Sequence, residues 1–146
     1  MSALQRKRGA SLIETAVGCI FLIPIVLGIL DVAAVALAQT QNDALAKHAC
    51  RQAANVDPNQ GSPQAVATKV INTFNSQHSK SGLADTATLV QCNPNVGGSS
   101  GLVYVQTSIQ CHLPVPFPFL PNPITLNSDD TEPIVAVLAT PAGGGG

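Results

Sequence analysis

Arg6-Lys7-Arg8-Gly9-Ala10-Ser11-Leu12-Ile13-Glu14-Thr15-Ala16-Val17-Gly18-Cys19-Ile20-Phe21-Leu22-Ile23-Pro24-Ile25-Val26-Leu27-Gly28-Ile29-Leu30-Asp31 is the stretch that decides the fold. Three cations precede a glycine. One carboxylate, Glu14, then stands at the edge of an apolar run. Residues 15–30 carry no charge, and residues 32–38 continue apolar past Asp31. A helix crossing the hydrocarbon core needs about 20 mostly apolar residues. The run meets that need if Glu14 or Asp31 lies near an interface. Arg6, Lys7 and Arg8 orient the segment, because clustered Lys and Arg stay on the cytoplasmic side. The chain beyond Ala38 is then expected outside the cytoplasm. A carboxylate beside lipid is costly, so Glu14 calls for a function.

Helix-forming character does not stop at the membrane edge. Ala44, Leu45, Ala46, Ala49, Ala53 and Ala54 carry it to Asn55, where Asp57-Pro58 ends it, since a residue before proline is pushed out of the helical region. One helix is expected from about residue 11 to about residue 55. Pro24 removes a backbone hydrogen bond in the membrane and is expected to kink it. The organisation that follows is a basic leader (1–9), a membrane helix (10–38), its extracytoplasmic continuation (39–56), an outer domain (57–142) and a flexible glycine tail (143–146).

The 146 residues leave room for one small domain beside this helix, and only 10% of them are charged. The leader holds three of the seven cations, so Lys47, Arg51, Lys69 and Lys80 face eight acids in the rest. A nucleic-acid binder needs the opposite balance, with clustered Lys and Arg.

In the outer domain, Ser62-Pro63 reads as an N-cap followed by proline at the first helical position. Val66, Val70 and Phe74 recur on one face of a helix running to about His78. Residues 86–92 are rich in strand formers, and residues 93–101 form a Gly-, Asn- and Ser-rich loop. Residues 102–112 alternate as a half-buried strand, with Val103, Val105, Thr107, Ile109 and Cys111 on one face. Pro114 to Pro123 excludes a central strand. Residues 124–126 and 134–138 are expected as a short edge strand and a last strand. The fold class is α+β: a long N-terminal helix, its first half in the membrane, packed against a small antiparallel sheet.

Three kinds of processing fit such an opening. Ala36-Leu37-Ala38 before Gln39 has the small-residue pattern of a signal-peptidase site, which would release a secreted binding module. The apolar run is longer than the usual core of about 7 to 15 residues, and Asp31 interrupts it. Ala16-Val17-Gly18 before Cys19 has the form of a lipoprotein signal, but Glu14 then falls inside a short apolar core. The third is a prepilin-type leader, cut after Gly9 with the apolar helix retained. It explains the short basic start, the small new terminus Ala10, and Glu14 as fifth residue of the mature chain. An uncleaved, single-span anchored protein is the remaining alternative.

The opening residues Gly9, Ala10, Ser11, Glu14, Pro24, Gly28 and Asp31 resemble those of the TadE-like minor pseudopilins of tight-adherence (Tad, Flp) pilus systems. The strand, Pro-rich turn and strand from residue 103 to residue 126 are similar to the same family. Where the family usually has an aromatic after the glutamate, this chain has Thr15. That departure, with the long domain beyond residue 62, separates it from the short major pilins. The resemblance implies a minor subunit for assembly, priming or tip formation of a Tad-type pilus. Its partners would be a prepilin peptidase, other pilins and pseudopilins, and the lipid bilayer. It would reside in the bacterial inner membrane, single-pass, with its N-terminus in the cytoplasm, and could enter an extracellular pilus. Cutting after Gly9 creates a positive α-amino group at Ala10, and a carboxylate one helical turn on can pair with it in the same chain or a neighbour. As the resemblance implies, Glu14 sets the axial register between subunits.

Cys19 lies in the membrane segment. Cys50, Cys92 and Cys111 lie in a compartment where disulfides persist. Cys92 with Cys111 is the expected pair, with Cys50 to either of them as the rival. His48, Cys50, Cys92, Cys111 and His112 match no zinc spacing, so no metal and no cofactor is expected. There is no phosphate loop and no G-x-S-x-G nucleophile motif. The chain is expected to be a peptidase substrate rather than an enzyme.

Overall fold

The structure, a computed structural model, describes residues 3–56, 61–78, 84–94, 101–115 and 121–134, with side chains from residue 13 onward. Five elements follow in order: α1 (Ala3–Ala54), α2 (Pro63–His78), β1 (Thr88–Pro94), β2 (Leu102–Cys111) and β3 (Ile124–Pro133). The fold is α+β, with one long N-terminal helix and a three-stranded antiparallel sheet ordered β1-β2-β3.

Helix α1 starts eight residues before the expected boundary, because the basic stretch ahead of Gly9 is already helical. It ends as expected. Asn55 N–H bonds back to Arg51 O at 3.1 Å, and the helix stops just before the Asp57-Pro58 pair, which lies outside the described residues. Helix α2 begins where its cap dictates. Ser62 Oγ accepts from Ala65 N–H at 3.2 Å, and Ser62 O accepts from Val66 N–H at 3.3 Å. Its packed face is turned slightly from the expected one: Ala67 and Ile71 are buried, while Val66, Val70 and Phe74 are half-buried flanks. Asn75 ties α2 to the strand entry by pairing with both backbone groups of Ala87, at 2.9 Å and 2.8 Å.

Strand β2 is central and alternates as its sequence predicts, with Val103, Val105, Thr107, Ile109 and Cys111 buried. Strand β1 runs two residues later than expected, taking Asn93 and Pro94 out of the predicted loop. A bulge at Val90 shifts its register on β2.

Strand β3 corrects the sequence reading most. It continues for seven residues past Leu126, through Asn127-Ser128-Asp129-Asp130-Thr131-Glu132-Pro133, each facing a β2 residue. Asn and Asp disfavour strands intrinsically, but a full-length partner outweighs that preference. Charges on an edge strand also discourage a further strand from adding there. The last strand expected at residues 134–138 lies outside the described residues beyond Ile134, as does the glycine tail.

The core is thin and alanine-rich. Ala49, Cys50, Ala53 and Ala54 of α1 meet Ala67 of α2 and Val103 and Val105 of β2. Leu45, Ile71, Ala87 and Ile109 extend it along the sheet. Small helix residues let backbone and sheet approach closely. The layer order is therefore sheet, outer half of α1, and α2 alongside.

Candidate assembly helix and its junction with the sheet

Helix α1 has two halves with different surroundings. From residue 13 to residue 30 its large apolar side chains are exposed, including the consecutive Ile20, Phe21, Leu22 and Ile23, apart from the half-buried Leu27 next to the junction. Four consecutive residues at 100° steps point in all directions, so up to Val26 this half is bare around its circumference. From Asp31 onward a burial stripe sets in. Asp31, Ala34, Ala38, Asn42, Leu45, Ala46, Ala49, Cys50 and Ala53 recur at three- and four-residue steps and face the sheet domain. The bare part, about 18 residues at about 1.5 Å each, spans roughly 27 Å, close to a hydrocarbon core of about 30 Å. Among the described residues, one helix, near the N-terminus, is thus long and apolar enough to cross a membrane. Residues 31–38, expected as its outer end, already pack one face on protein.

Asp31 sits at the junction. It is only 5% exposed, and Oδ1 accepts from Val115 N–H at 3.1 Å. Oδ2 is buried without a hydrogen-bond partner. The carboxylate therefore pins the turn after β2 onto the helix where the bare segment ends. The segment entering β3 is tied to the same turn by Leu113 N–H donating to Asn122 Oδ1 at 3.2 Å.

Above Asp31 a ladder of polar contacts fixes the sheet on the helix. Asn42, fully buried, donates from Nδ2 to Leu126 O at 3.1 Å and accepts from Thr107 Oγ1 at 2.8 Å. Asp43 Oδ1 accepts from Ser128 Oγ at 2.6 Å and from Gln39 Nε2 at 2.8 Å. The Cys50 thiol donates to Val103 O at 3.2 Å, and Arg51 Nε meets Glu132 Oε1 at 3.1 Å. Burial and the nearby Asp130 carboxylate push the Cys50 thiol up to about 11. Sequence reading placed Thr107 on the inward face of β2 but missed its partner Asn42, and missed Ser128. The available signal was an amide at position 42 within a largely alanine stripe.

No family model, curated protein or solved structure matches this chain. The site rests on its own geometry. Glu14 is exposed at the N-terminal end of the bare helix. Gly9 and Ala10 lie on helical backbone with Arg6, Lys7 and Arg8, whose side chains are outside the described residues. Pro24 lies inside a continuous helix, so the carbonyl one turn before it lacks its backbone donor. A Cβ added at Gly18 or Gly28 would meet nothing within 4 Å, so neither glycine answers to a contact within the chain.

The cysteines are placed differently from expectation. Cys92 faces Val105 across the sheet, while Cys111 faces Ile124 at the other end of β2. Six residues of strand separate Val105 from Cys111, about 20 Å at about 3.3 Å each. A disulfide tolerates only about 7 Å between Cα atoms, so the Cys92–Cys111 pairing is corrected. Cys50 with Cys111 falls for the same reason, because the Cys50 thiol lies at Val103. Cys50 and Cys92, by contrast, belong to one packed cluster. Cys19 is exposed on the bare helix. His48 is exposed, and His112 Nε2 meets Asp85 Oδ2 at 3.0 Å. Among the described residues no three His, Cys, Asp or Glu side chains are grouped to hold a metal ion. A cavity beside Phe74, Asn75, His78 and Ile109 measures about 10 Å³, room for about one water.

Proposed function

We propose that this chain is a TadE-like minor pseudopilin of a Tad-type pilus, acting in assembly, priming or tip formation and not as an enzyme. The observation that carries the reading is the division of α1. Its first half is apolar, and bare on every side up to Val26, and its second half is built into an α+β domain starting at Asp31. A helix of that form can be held by lipid, then by the helices of other subunits, without refolding the outer domain.

In this mechanism the helix stores the subunit in the inner membrane with Arg6, Lys7 and Arg8 in the cytoplasm. A prepilin peptidase cuts after Gly9. The new amino group at Ala10 would be desolvated among packed helices, and Glu14, about one turn along, supplies its counter-charge and fixes axial register. Lateral packing then draws the subunit into the fibre.

Release by signal peptidase after Ala38 is disfavoured. Ala38 is 4% exposed, mid-helix, and packed with Ala34 and Asn42 against the domain that would be released. The test is the mature N-terminus, by intact mass and N-terminal peptide mapping of membrane-extracted protein. A start at Ala10 is expected. A start at Gln39 would mean an exported soluble domain, and an uncut chain would mean a plain anchor; either overturns the proposal.

A further inference from the structure

We propose that Cys50 and Cys92 form a disulfide that staples the edge strand β1 to helix α1. The inference rests on the extracytoplasmic placement of the outer domain proposed above. Cys92 pairs with Val105 and so shares its helix-facing side of the sheet. Val103, two residues away on that side, receives the Cys50 thiol at its carbonyl at 3.2 Å. Cys92 packs against the buried cluster that contains Cys50, Val103 and Val105. Around Cys50 the helix carries Ala46, Ala49, Ala53 and Ala54, all buried, which brings its backbone close to the sheet. Both are free thiols in this structure, and the Cys50 thiol also lies 3.4 Å from Asp130 O of β3, so the bridge needs it to turn from these carbonyls toward β1; Cys111 lies at the far end of β2 and Cys19 on the bare helix.

Strand β1 needs such a staple. It is an edge strand, and its pairing is interrupted by the bulge at Val90. The bridge would close a loop that contains the whole of α2 and would tie the edge strand to α1 directly.

The chemistry is thiol–disulfide exchange with a protein disulfide oxidant of the extracytoplasmic compartment. Cys92, the less buried of the pair, attacks the oxidant's disulfide as thiolate. It forms a mixed disulfide and releases one oxidant sulfur as thiolate. The Cys50 thiolate then attacks Cys92 Sγ, forming the Cys50–Cys92 bond and releasing the second oxidant sulfur. The protein loses two protons and two electrons, and the oxidant leaves as a dithiol. Burial raises both thiols, so exchange is fastest before the cluster closes.

The test uses full-length protein trapped with N-ethylmaleimide at lysis and mapped by mass spectrometry without reduction. A peptide linked through Cys50 and Cys92 is expected, with Cys111 alkylated. Protease added from outside the cytoplasm reports separately where the domain lies. Cys50, Cys92 and Cys111 all alkylated, in a domain that protease reaches, would overturn the staple. If protease does not reach it, the placement fails instead, and the purified protein in detergent is equilibrated with an oxidising glutathione couple. There, Cys50–Cys92 is the expected product, and glutathione adducts or a Cys92–Cys111 bond would overturn it. Reduction, or Cys92→Ser, is expected to lower the thermal midpoint by about 10 °C or more, as for a loop of this size.

Discussion

The contact between Asn42 and Thr107 gives the most direct test of how the helix is fixed on the sheet. Both residues are fully buried, and Asn42 bridges the hydroxyl of β2 and the Leu126 carbonyl of β3. Asn42→Leu keeps the side-chain size and removes both bonds. Thr107 Oγ1 then retains only a long contact to Ser128 O at 3.5 Å, and the Leu126 carbonyl loses its side-chain donor. Each stranded buried polar group costs about 1–3 kcal/mol, so a loss of about 2–4 kcal/mol is expected. Thr107→Val strands only the Asn42 carbonyl and should cost about 1–2 kcal/mol. The double variant removes both partners, so its cost should fall below the sum by about 1 kcal/mol or more. Urea unfolding of detergent-solubilised protein, followed by far-UV circular dichroism and by the emission of Tyr104 on β2, measures all four corners. Strict additivity, or a loss below about 0.5 kcal/mol for Asn42→Leu, would refute the view that this bridge holds the sheet on α1.

Three further outcomes follow from the same geometry. Glu14→Ala should leave the chain in the membrane but reduce its recovery in sheared pilus fractions, while Glu14→Asp should restore part of it; normal incorporation of the alanine variant removes the register role. In the reduced protein, stability should hold below about pH 9 and fall as pH rises toward 11, because the unfolded chain releases the Cys50 proton while the folded chain keeps it; Cys50→Ala should flatten that slope in unfolding experiments across the range. Arg51→Ala breaks the pair with Glu132, but the arginine side chain is 68% exposed, so the unfolding free energy from urea titration should fall by no more than about 0.5 kcal/mol.

Legibility from sequence tracked how local each cause was. The apolar run, the Ser62 cap and the alternation of β2 are set by neighbouring residues, and each lies close to its expected place. Residues 127–133 were not legible as strand, because Thr131 alone in Asn-Ser-Asp-Asp-Thr-Glu-Pro favours extension locally. Their conformation comes from ten residues of β2 lying alongside. The cysteine pairing failed similarly, since it depends on which end of β2 meets which partner. For the candidate site, the placement of Glu14 beside the bare helix was readable from the first residues. The end of the bare segment at Asp31 was not, because it is set by a backbone amide of Val115, 84 positions away.

That long-range contact also explains why a chain with so few charges places them as it does. On the helix-facing side of β3, Ser128, Asp130 and Glu132 follow Ile124 and Leu126, and all point at α1. An apolar strand there would pack on the alanine stripe at several depths with similar energy. Hydrogen bonds to Asn42 and Asp43 admit one depth only, since a shift of one turn strands the buried Asn42, Thr107 and Ser128. The position of the sheet along α1 sets how much apolar helix remains uncovered below it. In the proposed fibre, that uncovered length decides how far Glu14 stands from the outer domain, and so whether neighbouring subunits can satisfy helix contacts and domain contacts together. In that reading, polar side chains of the outer domain control the register of the apolar segment.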